Sequence, residues 1–219
     1  MYVISNRRKL ELSSWLKKYQ PREFSQNLRL QKFLFFYEAF SKIDGDPDTD
    51  FNYLKAYPNG PVFSNVYGDY TYQTRAFWYH LNEIAKSPIE SINEERAKLA
   101  GFIVKILNEK ELSDLTHEFD AWKKYEPAIK RGEIRITISE DDFTQNDFAL
   151  LEMLRDMYPT EMIDNTEVIS IMDKNFIISK EDFANLTEEH KQVFLTLADE
   201  DLRNPVYVEL SDEGVLLID

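Results

Sequence analysis

The sequence predicts a mainly α protein with a small antiparallel β-sheet (α+β), built as a compact helical domain followed by a C-terminal α/β extension. Three observations predict it. Apolar residues recur at helical spacing through most of the first 130 residues. Short alternating or continuous apolar runs, bounded by turn residues, follow after residue 133. The charge divides at a similar place: residues 1–145 hold 22 acidic and 21 basic side chains, whereas residues 146–219 hold 18 and 5. The reading is therefore a near-neutral domain over 1–145 and an acidic extension over 146–219 that accounts for almost all of the net charge of −14.

The first helix is expected over residues 6–19. Leu12, Trp15, Leu16 and Tyr19 share one face, Ser5 or Asn6 can cap it, and Pro21 stops it. A second helix over 25–40 carries Leu30, Phe33, Leu34 and Tyr37, with Phe36 and Phe40 widening the stripe. So broad an apolar face predicts a central, well-buried helix. The tract DGDPDTD at 44–50 is a polar loop. It is not a calcium loop, because the twelfth position, which should be a bidentate Glu, is Lys55. Turns and short helical pieces are expected over 51–72, then helices over 74–85 and 93–108. Further helical turns lie within 111–130, and a short strand covers EIRITI at 133–138. Residues 146–157 predict a helix, 168–178 two short strands around Asp173–Asn175, and 181–199 a single helix. The runs VYVEL and VLLID flank 211–214 as a terminal hairpin.

Composition excludes several function classes. There is no cysteine, so no disulfide, thiolate metal site or thiol nucleophile exists. The three histidines, His80, His117 and His190, form no i, i+3 or i, i+4 metal pair. With 6 glycines there is no phosphate-cradling loop, and no serine sits in a nucleophile elbow. The clusters Arg7-Arg8-Lys9 and Lys17-Lys18 are short within an acidic chain, which disfavours direct nucleic-acid binding. The first residues lack a signal-peptide core, and no run of about 18 apolar residues predicts a membrane span. A cytoplasmic protein without cofactor, metal or catalytic residues is expected.

Three segments carry a pattern. LRLQKFLFFYEAF (28–40) holds Lys32 before Phe33, Leu34 and Phe35. KAYPNGPVFSNVYGDY (55–70) holds Gly60, Pro61, Val62 and Tyr67. There Gly60 is expected at an unusual backbone angle at a helix start, with Pro61 in the first helical position. ELSDLTHEFDAWKKY (111–125) holds Leu112, Leu115, Thr116, His117 and Trp122. In order and spacing these segments resemble the SocA-like (Panacea) antitoxin domain over about residues 10–145. The chain departs from that pattern at Tyr57, where Trp is common, at Asn59, where an aromatic is common, and at Ala121, where Pro is frequent. Residues 146–219 lie outside the resemblance.

The resemblance implies a phage- or prophage-associated protein that binds a cognate toxin directly and stoichiometrically. One founding member of that family delivers its toxin to a bacterial protease. It implies no cofactor and no catalytic residue. Lys32, Leu34, Gly60, Pro61, Val62, Leu112, Leu115, Thr116, His117 and Trp122 are then structural. Trp122 is core, and His117 donates to a nearby backbone carbonyl. The candidate partner contacts are Tyr57, Tyr67, Tyr70 and Tyr72, together with Asp199, Glu200, Asp201, Asp212 and Glu213. Tyrosines contribute strongly to interfaces when exposed as a cluster, and an acidic lobe attracts a basic toxin or defence protein. Two other classes stay open: an acidic nucleic-acid mimic that blocks a defence protein, and an enzyme whose carboxylates assemble in space.

Overall fold

The structure, a computed structural model, describes residues 2–211 and 213–218. It begins with α1 (Arg7–Tyr19), α2 (Pro21–Phe24) and α3 (Asn27–Ile43). Asn6 caps α1 by accepting from the Lys9 amide. Helix α3 is the axis of the molecule, and every residue from Leu30 to Ser41 on it is buried. A helix enclosed on all sides must find internal partners for each polar side chain. Gln31 accepts from the Phe63 amide at 2.9 Å, and Ser41 donates to the Tyr37 carbonyl at 2.9 Å. Glu38 takes both Arg8 and Lys9 as ion-pair partners. The Lys9 ammonium is wholly buried and also sits 4.2 Å from the centre of the Phe63 ring.

Where turns and helical pieces were expected, residues 51–72 form a β-hairpin and one helix. Strands β1 (Leu54–Tyr57) and β2 (Gly60–Phe63) pair antiparallel, Tyr57 opposite Gly60, and α4 (Ser64–Tyr72) follows. Gly60 does have a left-handed backbone, φ +98°, but it opens a strand, not a helix. Pro61 likewise lies in β2, which is tolerable because β2 is an edge strand and needs no second partner for its nitrogen.

Then come α5 (Thr74–Ile84), α6 (Glu94–Ile106), α7 (Glu109–His117), α8 (Asp120–Lys123) and α9 (Glu126–Lys130). The strand expected at 133–138 shrinks to β3 (Ile136–Thr137), which pairs with β1 and completes a sheet of order β2-β1-β3. Phe77, Leu81, Ala97, Ala100, Phe102 and Ile103 pack with α3 in one large core. The charge break at 145/146 does not coincide with the packing: α10 (Gln145–Met157) delivers Leu151 and Leu154 into that same core.

The remaining chain forms α11 (Thr160–Asp164), β4 (Thr166–Ile171), β5 (Lys174–Ser179), α12 (Lys180–Ala184), α13 (Glu188–Ala198), β6 (Val206–Leu210) and β7 (Leu216–Ile218). These strands form a second sheet of order β4-β5-β6-β7. Both expected hairpins are present, while β5 and β6 run parallel, so this sheet is mixed. The single helix expected over 181–199 is two, because Thr187 starts a new one: its side chain accepts from the His190 amide, and the His190 ring accepts from the Thr187 amide. A smaller core of Phe176, Ile178, Phe194, Ala198, Val206 and Val208 lies between α13 and the sheet. No described helix is long and apolar enough to cross a membrane.

Candidate functional site

The three motif segments, far apart in the chain, meet at the turn between β1 and β2. Two carbonyls of that turn each accept a hydrogen bond from another motif. Trp122 Nε1 donates to the Tyr57 carbonyl at 3.0 Å. Lys32 Nζ, reaching up from α3, donates to the Asn59 carbonyl and to Thr116 Oγ1, the latter at 2.9 Å. Thr116 passes its own proton to the Leu112 carbonyl at 3.0 Å.

The glycine follows from this geometry. A Cβ at Gly60 would strike Lys32 Nζ and Thr116 Oγ1, and its φ of +98° already disfavours any other residue. Lys32 is enclosed with no carboxylate against it among the described residues, and burial pulls its pKa down from 10.5 to about 7. A neutral amine has two N–H bonds to give, and two acceptors are present. The His117 ring stacks on Trp122 with centroids 3.7 Å apart and planes 16° from parallel. Burial, and next the charge of Lys32, lower the His117 pKa. Its buried Nε2 meets no hydrogen-bond partner among the described residues.

Arranged this way, the cluster acts as a clamp that holds the turn. It presents Pro58 and Asn59 to solvent beside a cavity of about 250 Å³. Tyr57 and Tyr67 line that cavity with their rings 6.3 Å apart, with Leu28 and Val62 on its apolar wall. The structure thus brings two of the four candidate tyrosines together and separates the others. Tyr70 turns inward, donating to the Ser25 carbonyl at 2.8 Å and packing on Phe24 and Phe77. Tyr72 stands exposed at the end of α4. Leu34, Leu112 and Trp122 are core, and Leu115 packs against it.

Asp199, Glu200, Asp201 and Glu213 are exposed and take part in no ion pair among the described residues; Asp212 lies outside them. The two most deeply buried carboxylates, Asp69 and Glu38, escaped the sequence reading. Asp69 accepts from the Ile4 and Ser5 amides and from the Ser5 hydroxyl at 2.6 Å, tying the N-terminal segment to α4. Glu38 was legible in principle, as the single acid inside the apolar stripe of α3. Among the described residues no group of three His, Asp or Glu could hold a metal ion. Compared with protein-family models, curated proteins and solved structures, the chain matches none.

His117→Ala removes one ring stacked on Trp122 beside an exposed turn. It should cost about 0.5–1.5 kcal/mol. Urea unfolding checks this, and an unchanged midpoint would mean that the ring contributes nothing to the clamp.

Proposed function

We propose that the chain is a non-catalytic, protein-binding antitoxin of the SocA-like type, acting in the cytoplasm on a basic toxin. One observation supports the reading. The segments that carry the resemblance are 27 and 84 residues apart, measured from Lys32 to its two acceptors, yet they close on one turn through Lys32, Thr116 and Trp122, with His117 stacked on Trp122. Residues that make one clamp explain why the three motifs go together. What the clamp presents is a rigid turn with a tyrosine-lined cavity, and a preorganised surface loses little conformational entropy when a partner docks.

The test is recovery of partners with the tagged chain from its native host, then co-expression of each small basic protein recovered. The expected result is a protein that arrests growth alone and is harmless once the chain matches it mole for mole. Rescue at far lower amounts would point to turnover and defeat the stoichiometric reading. No growth-arresting partner at all would defeat the antitoxin reading.

A further inference from the structure

The C-terminal extension carries a second surface that the three motifs do not touch. Between β4 on one side and α12 and α13 on the other lies an open groove of about 700 Å³. Its lining is apolar: Ile169 and Ile171 from the sheet, Phe183 and Leu186 around α12, Phe194 and Leu195 from α13. Phe183 and Leu195 are 44% and 45% exposed, an unusual position for side chains of that size flanking a hollow.

The unpaired charge around the groove is negative. Glu167 alternates with Ile169 and Ile171 on β4, so it shares their face. Glu188, Gln192, Leu195 and Asp199 follow one another at helical 4-3-4 spacing along α13, which places a carboxylate at each end of that wall. The cation in the lining, Lys191, is already paired with Glu188 at 2.6 Å. Glu167 and Asp199 have no ion pair among the described residues. Helix α13 also ends on Asp199, Glu200 and Asp201, with no basic residue in its last turn. Carboxylates there oppose the helix dipole and concentrate negative potential at the groove mouth.

We infer that this groove seats a cationic amphipathic helix of the partner protein, apolar side chains inward and Lys or Arg toward the rim. This rests on the antitoxin reading and specifies where its partner docks. The lining is mainly large apolar side chains from a strand and two helices. A helix meets such a surface with side chains at i, i+3, i+4 and i+7. A second copy of this chain is the poorer occupant on charge, since it would bring net −14 to an extension that already carries almost all of that excess.

The probe is a designed helical peptide of about 18 residues, Leu on one face and Lys on the other. The controls are a scrambled peptide of the same composition and a version with Glu for Lys. Methyl NMR of the full chain should show the Lys peptide shifting Ile169, Ile171 and Leu195, with neither control doing so. Leu195→Asn with Phe183→Ser should weaken binding by about tenfold or more, which is the usual scale for an interface anchor. Glu167→Gln, Glu188→Gln and Asp199→Asn together should weaken it several-fold without altering the apolar floor. Equal binding of the scrambled peptide, or shifts elsewhere, overturns the inference. So does self-association of the chain that Leu195→Asn abolishes. Toxin neutralisation that survives the groove variants overturns the groove as the partner's seat and leaves the antitoxin reading intact. A chain that neutralises nothing but binds the peptide at Ile169 and Ile171 defeats the antitoxin reading and supports the groove.

Discussion

Gly60→Ala should lower the unfolding free energy by about 2–5 kcal/mol. Two costs add. An L-residue at a left-handed backbone angle loses roughly 1–2 kcal/mol. Inserting an atom into a filled site costs a further 1–3 kcal/mol or so. Here the added Cβ meets Lys32 Nζ and Thr116 Oγ1, both of which are committed to hydrogen bonds and cannot retreat without breaking them. Gly45 supplies the control, since its φ is +66° but nothing lies within 4 Å of its Cβ. Gly45→Ala should therefore show the backbone cost alone, about 1–2 kcal/mol. Equal losses at the two positions would mean that the clamp relaxes freely. A Gly60→Ala, Lys32→Met double-mutant cycle measures the coupling directly, with about 0.5–3 kcal/mol expected for groups in contact.

How much of this was legible in the sequence varies with the length of the pattern. Helix α3 was readable because its apolar stripe is wide enough to leave no polar face, and burial follows from that. The β1–β2 hairpin was not, because its strands are four residues each, too short for alternation to outweigh the surrounding tyrosines. The special angle at Gly60 was readable from its neighbours, but the element around it was not. The break between α12 and α13 was available as a cap signal at Thr187, although its third helical position holds His190 where Glu is usual. As for the site, the motif residues were visible one by one. Their closure on one turn was not, because that depends on α3, the hairpin and α7–α8 packing together. The groove gave no periodic signal, since its two walls come from separate elements.

Lys32 carries the second large effect, and its sign depends on pH. In the unfolded chain its pKa is near 10.5, and in the fold it is about 7. Between those values the unfolded state holds a proton that the native state lacks, so stability rises with pH by about 1.4 kcal/mol per unit. Below about pH 7 both states carry the proton and the rise is absent. Lys32→Met keeps an unbranched side chain of similar length and removes the titration. Tyrosines and other groups that titrate in both proteins cancel in the difference. The stability of the native chain minus that of Lys32→Met should therefore grow by about 2–3 kcal/mol from pH 7.5 to 9.5. Urea unfolding of both proteins across that window reads it. The same window bears on the clamp, because a neutral amine gives one N–H to Asn59 and one to Thr116, whereas the ammonium has a third with no acceptor against it. A difference that stays flat from pH 7.5 to 9.5 would mean that Lys32 remains an ammonium in the fold. The turn carbonyl and the Thr116 hydroxyl would then be solvating a buried cation, and Gly60 would be needed to let them approach it.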